Sequence, residues 1–234
     1  MIYHSKEGGD MLDSFNKILQ ENEETIRYRE KEIQDAEAEE EERKRLRYYQ
    51  SEKSGVPRRF WTESLETFIA RTEEEEKILL TVRNYSRLED NENVLVLCGK
   101  MGNGKTHLAA SVIREVGGYM STSQEIIYKV DSSMNFMKDI SKDDLMAFYV
   151  NVKMLVIDEI ARSSTPEKER DILSFILCKR YDNKLPSILV SNLSKNELLM
   201  FLGKSVLDRL IETCTVLEFT NESYRLLKRK ESLG

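Results

Sequence analysis

The 234 residues suffice for one substantial α/β domain with a smaller appendage, but not for two full domains with separate cores. A formal net charge of -6 argues against a protein that coats DNA by bulk attraction, because phosphate neutralisation needs clustered Lys and Arg. Three widely spaced cysteines (Cys98, Cys178, Cys214) and two histidines (His4, His107) speak against a disulfide framework, a structural zinc site and a histidine-based metal site. The first twenty residues are too polar for a secretory signal and no apolar run reaches membrane-spanning length, so a cytoplasmic protein is expected.

Residues 1–55 differ in composition from the remainder. Leu12, Phe15, Ile18 and Leu19 recur at helical spacing, which predicts a short amphipathic helix from about Met11. From Glu21 to Lys53 the chain is dominated by Glu, Lys and Arg, and Glu39, Glu40 and Glu41 stand four residues before Arg43, Lys44 and Arg45, the order that supports an exposed helix. This extension reads either as a solvated spacer or as a docking arm for another protein. Gly55-Val56-Pro57 breaks the helix and marks the junction to a core spanning residues 56–234.

Within the core, Thr72 with Glu75 predicts a capping box, followed by Ile78, Leu79, Val82 and Tyr85 on one helical face. Val94 to Cys98 is a wholly apolar run, as expected of a buried parallel strand. Leu108 to Val116 reads as a helix and Tyr119 to Thr122 as a strand. Ile126, Ile127, Val130, Met134 and Met137 fit a helix from near Ser123 better than a strand. Met154 to Ile157 is a second apolar strand, Thr165-Pro166 a helix start, and Ser187 to Val190 a third strand. Ser194 with Glu197 caps a helix that Gly203 ends; Ser205 to Ile211 begins another, and Thr215 to Phe219 is the last strand. Alternating strands and helices imply a parallel sheet covered on both faces.

Gly99-Lys100-Met101-Gly102-Asn103-Gly104-Lys105-Thr106 matches the phosphate-loop pattern G-x-x-x-x-G-K-[ST] at every specified position. Glycines let backbone amides turn towards phosphate oxygens, and a helix starting near Lys105 aims its positive end there. Lys105 would neutralise the β and γ phosphates, and Thr106 would offer a hydroxyl to Mg²⁺. His107, directly after the loop, joins the expected nucleotide-contacting set. In Met154-Leu155-Val156-Ile157-Asp158-Glu159 an apolar strand ends in two acids, which is costly unless they meet a cation or water. Asp158 would hold the Mg²⁺ shell and Glu159 would activate the attacking water, at a strand tip adjoining the glycine loop. Asn183-Lys184-Leu185-Pro186 lacks the aspartate of a guanine-reading motif, so ATP is the expected nucleotide.

These motifs, with Lys179-Arg180-Tyr181-Asp182-Asn183, Leu189-Val190-Ser191-Asn192-Leu193-Ser194, Leu207-Asp208-Arg209-Leu210 and Ser223-Tyr224-Arg225, resemble AAA+ ATPases of the DnaC and DnaI helicase-loader type and the related IstB-like transposition helpers. The resemblance covers about Gly55 to Arg225. It implies an AAA+ core without a helical lid, Asn192 as a sensor of the γ phosphate, Arg209 as an arginine finger acting on a neighbouring subunit, and Arg225 near nucleotide or neighbour. It also implies self-association, a single-stranded-DNA contact around Ser132 to Ser141 with Lys138 and Lys142 at hand, and a replicative DNA helicase docked through residues 1–55. A transposition helper ATPase, or an adaptor that binds ATP without useful turnover, are the alternative readings.

Overall fold

The computed structural model describes residues 29, 31, 53–88, 93–133, 141–221 and 223–224. Apart from Arg29 and Lys31, these belong to one compact unit, Tyr49–Gly234. The helix expected near Met11 and nearly all of the charged stretch after it lie outside the described residues. So do Lys138, Arg225 and the chain that follows it.

Five parallel strands form one sheet in the order β2-β3-β4-β1-β5: β1 Val94–Gly99, β2 Tyr119–Thr122, β3 Leu155–Ile160, β4 Ser187–Ser191 and β5 Cys214–Phe219. Side chains alternate between the faces, as a two-residue period requires. Leu95, Leu97, Val156, Ile188 and Val190 pack with α1 (Glu73–Arg87) and α2 (Lys105–Val116). Val94, Val96, Leu155, Ile157 and Leu189 point the other way. They meet α3 (Ser123–Ser133), α4 (Lys142–Asn151), α5 (Pro166–Asp182), α6 (Lys195–Leu202) and α7 (Lys204–Thr213). Burying such a side chain contributes about 1.5–3 kcal/mol against about 1–2 kcal/mol for fixing one backbone residue. The central strands therefore hold because both faces are covered, and they read as continuous apolar runs for the same reason.

Helix starts follow local chemistry, with two departures from expectation. At α1 the Thr72 side chain accepts the Glu75 N–H at 3.2 Å, but the return half of the box is not made. The Glu75 carboxylate instead accepts the Arg71 N–H at 2.7 Å and the Asn221 amide at 3.2 Å. Helix α4 was not expected: its run of Leu145, Met146, Phe148, Tyr149 and Val150 gives little amphipathic contrast. Its signal was Ser141 three residues before Asp144, which makes both bonds of a capping box, as Ser194 and Glu197 do at α6.

Arg180 of α5 pins the opposite end of the sheet. Its buried guanidinium donates to the carbonyls of Tyr149, Val150 and Val152 at 3.0, 3.0 and 2.7 Å, and to the Pro186 carbonyl and the Ser187 hydroxyl. It thereby satisfies carbonyls that the end of α4 leaves without helical partners. Burial pulls its pKa down to about 10, which leaves the charge in place near neutrality.

Candidate functional site

The phosphate loop hangs from the carboxyl ends of three strands. At Gly99 (φ 103) a β-carbon would run into the Phe219 backbone of β5, so only glycine fits. The Gly99 N–H donates to the Leu193 carbonyl at 2.7 Å, beyond β4, and the Lys100 N–H to the Phe219 carbonyl at 3.0 Å. Gly102 and Gly104 turn the chain with φ 87 and 86 into α2, which begins at Lys105. Asn103 is buried and its amide donates to the Asn221 carbonyl at 2.7 Å, while Met101 stands exposed at the loop's outer edge.

Lys105 is buried, and its ammonium donates to the Gly99 and Lys100 carbonyls at 2.8 and 2.6 Å. Burial lowers its pKa to about 8, opposed by the charge of nearby Asp158. Asp158 is buried too: desolvation raises its pKa, opposed by hydrogen bonds from the Glu159 N–H and the Thr106 hydroxyl. The two halves of the site are not on adjoining strands, as the sequence had suggested, because β4 lies between β1 and β3. That places Asn192, the exposed residue directly after β4, between the two tips.

The acids also lie inside β3 rather than beyond its end. Pairing with β4 slips between Ile157 and Ile160, and Glu159 and Ala161 adopt left-handed φ values of 55 and 67. The Glu159 carboxylate accepts from Arg162 Nη1 at 3.0 Å, a partner the sequence did not suggest.

Beside the loop opens a cleft of about 410 Å³, lined by Thr67, Phe68, Ile69, Arg71, His107 and Tyr224 among others. His107 Nε2 lies 2.9 Å from the Ser64 carbonyl, and its ring meets Phe68 edge-on at 5.7 Å. The Arg71 guanidinium lies 4.2 Å from the centre of the Tyr224 ring. Sequence reading placed only His107 and the loop's own residues here. The segment Thr67-Phe68-Ile69 has no motif, and its one signal was apolar residues in an otherwise polar stretch, with Ile69 left 64% exposed.

Arg209 is not gathered with these residues. On α7 it turns to its own helix and to α5: Nη1 donates to the Ser205 carbonyl at 3.1 Å, Nε lies 3.9 Å from the Asp182 carboxylate, and the guanidinium stands 5.8 Å from the Tyr181 ring. Lys142 opens α4, and α3 ends at Ser133, so the stretch expected to meet single-stranded DNA is described only at its edges.

A buried ammonium hydrogen-bonded to carbonyl oxygens, beside a buried carboxylate and a helix N-terminus, is a donor set that a polyphosphate satisfies. With a parallel sheet flanked by helices on both faces, it defines a P-loop nucleotide-binding domain.

The chain belongs to the IstB-like ATP binding protein family, whose model matches residues 10–232. Over 154 residues it is 30% identical to the replicative helicase loader DnaC of Escherichia coli K12, spanning 63% of this chain and 62% of the loader. It is 31% identical over 147 residues to the putative ATP-binding protein of an insertion sequence from Bacillus thuringiensis subsp. berliner, spanning 59% and 58% of the two chains. The crystal structure of a DnaC helicase loader matches with a TM-score of 0.63 at 23% identity, covering 70% of this chain and all of that one, and so supports the fold. No helix among the described residues is long and apolar enough to cross a membrane.

Proposed function

We propose that this protein is an ATPase that delivers a replicative DNA helicase to single-stranded DNA, assembling through its AAA+ core and docking the helicase through residues 1–55. The carrying observation is the pair of buried groups at the strand ends, Lys105 and Asp158, with the Thr106 hydroxyl bonded to the acid. Each would be costly alone in a dry site, and ATP with a divalent cation satisfies both. Lys105 and the amides of Gly99 to Thr106 bind the phosphates. The cleft containing Phe68, Ile69 and His107 takes the nucleoside, and Arg225 closes on the same nucleotide or on a neighbouring subunit.

Thr106 and Asp158 hold Mg²⁺, which when bound offsets phosphate charge. Glu159 orients and deprotonates the attacking water, and Asn192 contacts that water or the γ phosphate from between the strand tips. Arg209, which contacts its own helix and α5, acts on the nucleotide of an adjacent protomer. Lys138 and Lys142 contribute to the single-stranded-DNA contact. The insertion-sequence relative, equally similar in sequence, favours a second reading in which the partner is a transposase.

The test is ATP turnover by the full-length chain with Mg²⁺ and a single-stranded oligonucleotide, at several protein concentrations. Arg209→Ala is expected to keep ATP affinity and lose on the order of 10³-fold in turnover, the scale of a missing arginine finger. Lys105→Ala is expected to lose ATP binding. Normal turnover by Arg209→Ala, or unchanged ATP affinity in Lys105→Ala, would break this assignment. Co-purification with ATP present, read for the helicase and for a transposase, separates the two partners.

A further inference from the structure

The backbone that carries Glu159 is bent against its preference, and three buried side chains hold it there. Glu159 and Ala161 have φ values of 55 and 67, a region that residues bearing a β-carbon avoid. The Ser123 hydroxyl donates to the Glu159 carbonyl at 3.1 Å, and the Ser191 hydroxyl to the Ile160 carbonyl at 2.9 Å. Glu169, in the first turn of α5, accepts from two amides just beyond: Ala161 N–H on Oε1 at 2.8 Å and Ser163 N–H on Oε2 at 3.1 Å. Glu169 is 0% exposed.

A carboxylate so deeply buried carries a large desolvation cost, and packing does not demand it, since Leu173, Ile176 and Leu177 supply the apolar face of the same helix. Proximity to a helix N-terminus eases the charge but does not explain its aim. Both oxygens reach back past the helix start to amides of the loop. That loop is the one whose Arg162 meets the Glu159 carboxylate.

We propose that Glu169 is a positioning residue for Glu159: by fixing the Ala161 and Ser163 amides it locks the left-handed kink that sets the direction of the Glu159 carboxylate. The proposal rests on the water-activating reading of Glu159. A glutamine here keeps shape and volume but replaces one acceptor oxygen with an amide NH₂ that can only donate, so one of the two loop amides loses its partner. The kink then relaxes while the phosphate loop, built on other strands, keeps its form.

The experiment compares Glu159→Gln, Glu169→Gln and the double variant in full-length protein with Mg²⁺, ATP and a single-stranded oligonucleotide, measuring kcat, ATP affinity and thermal melting. Glu169→Gln is expected to lose roughly tenfold or more in kcat with ATP affinity within about threefold of the parent. The double variant should turn over no more slowly than Glu159→Gln alone, as two residues acting through one group should. If Glu159→Gln hydrolyses ATP normally, the reading of Glu159 fails first. If Glu159→Gln is slow but Glu169→Gln keeps its kcat, the positioning role fails by itself. Should Glu169→Gln not melt cooperatively, Glu169→Asp is measured in the same way, since it keeps the charge but shortens the reach. Lost kcat with retained affinity in that variant supports the proposal. Lost affinity or lost folding in both variants overturns it, because Glu169 would then hold up the whole domain rather than one loop.

Discussion

The two strand tips that make the site solve one problem in opposite ways. After β1 the chain must turn through left-handed conformations, and it does so with glycines at 99, 102 and 104. At the end of β3 the chain makes a comparable turn at Glu159 and Ala161, which carry β-carbons. There the backbone is held by buried hydroxyls of Ser123 and Ser191 and by the Glu169 carboxylate. The first tip removes strain by composition. The second keeps strain and balances it with partners drawn from three other elements.

The largest effect should come from undoing the first solution. In Gly99→Ala the new methyl meets the Phe219 backbone, and no rotamer change relieves it, because the β-carbon position is fixed by the main chain on one side and the obstacle is main chain on the other. The added φ strain makes a cost of about 3 kcal/mol or more, which lowers the melting temperature by about 10 °C in a chain of this size. A thermal melt checks this. A shift of under about 2 °C would mean that β5 yields easily and that the loop is not hung from it as described.

A smaller effect concerns the charge at the first tip. Burial lowers the Lys105 pKa from 10.5 to about 8, so in the folded chain the side chain loses its proton where an unfolded chain would keep it. Between about pH 8 and 10.5 the folded state binds fewer protons, and the desolvation cost of the cation is relieved as pH rises. Phosphate binding has the opposite sign: the triphosphate prefers the charged form. Affinity for ATP should stay level up to about pH 8 and then fall by up to about tenfold per pH unit until the pKa of the complex is reached. Titrations from pH 6.5 to 9.5 test it. A level profile to the top of that range would show that the ammonium is not held by burial at this site.

The difference between the tips also explains what could be read from the sequence. The sheet, its strands and most helices were legible, because β1 and the first half of β3 are continuous apolar runs and α1, α5 and α6 open on a capping pair or a proline. Among the candidate site residues, those set by local pattern, Gly99 to Thr106 and Asp158 with Glu159, were named from the sequence, and the structure brings Lys105, Thr106 and Asp158 together. What escaped depends on pairs far apart in the chain. Ser123 reaches Glu159 across 36 residues, Ser191 reaches Ile160 across 31, and Arg180 reaches the end of α4 across about thirty. No spacing rule announces such contacts. The strand order escaped in the same way: putting β4 between β1 and β3 is a matter of crossover connections, which the alternation of elements does not determine.

The smallest effect is the most pointed test of the comparison. Ala161→Gly removes a β-carbon from a left-handed residue, which relieves roughly 1 kcal/mol of conformational strain. It also gives the unfolded chain more freedom, at a cost of roughly 0.5–1 kcal/mol, and removes one methyl packed at the edge of the core. These terms nearly cancel, so the melting temperature should move by no more than about 3 °C in either direction. The contrast with Gly99→Ala is what matters: the two exchanges are chemical opposites, both at residues of positive φ. If the second tip stores strain, adding a methyl at the first unfolds the protein far more readily than removing one at the second. Melts run in parallel give the ratio directly. Equal losses in the two variants would mean that the Ala161 methyl is needed for packing, and the division between a relaxed tip and a strained one would fall.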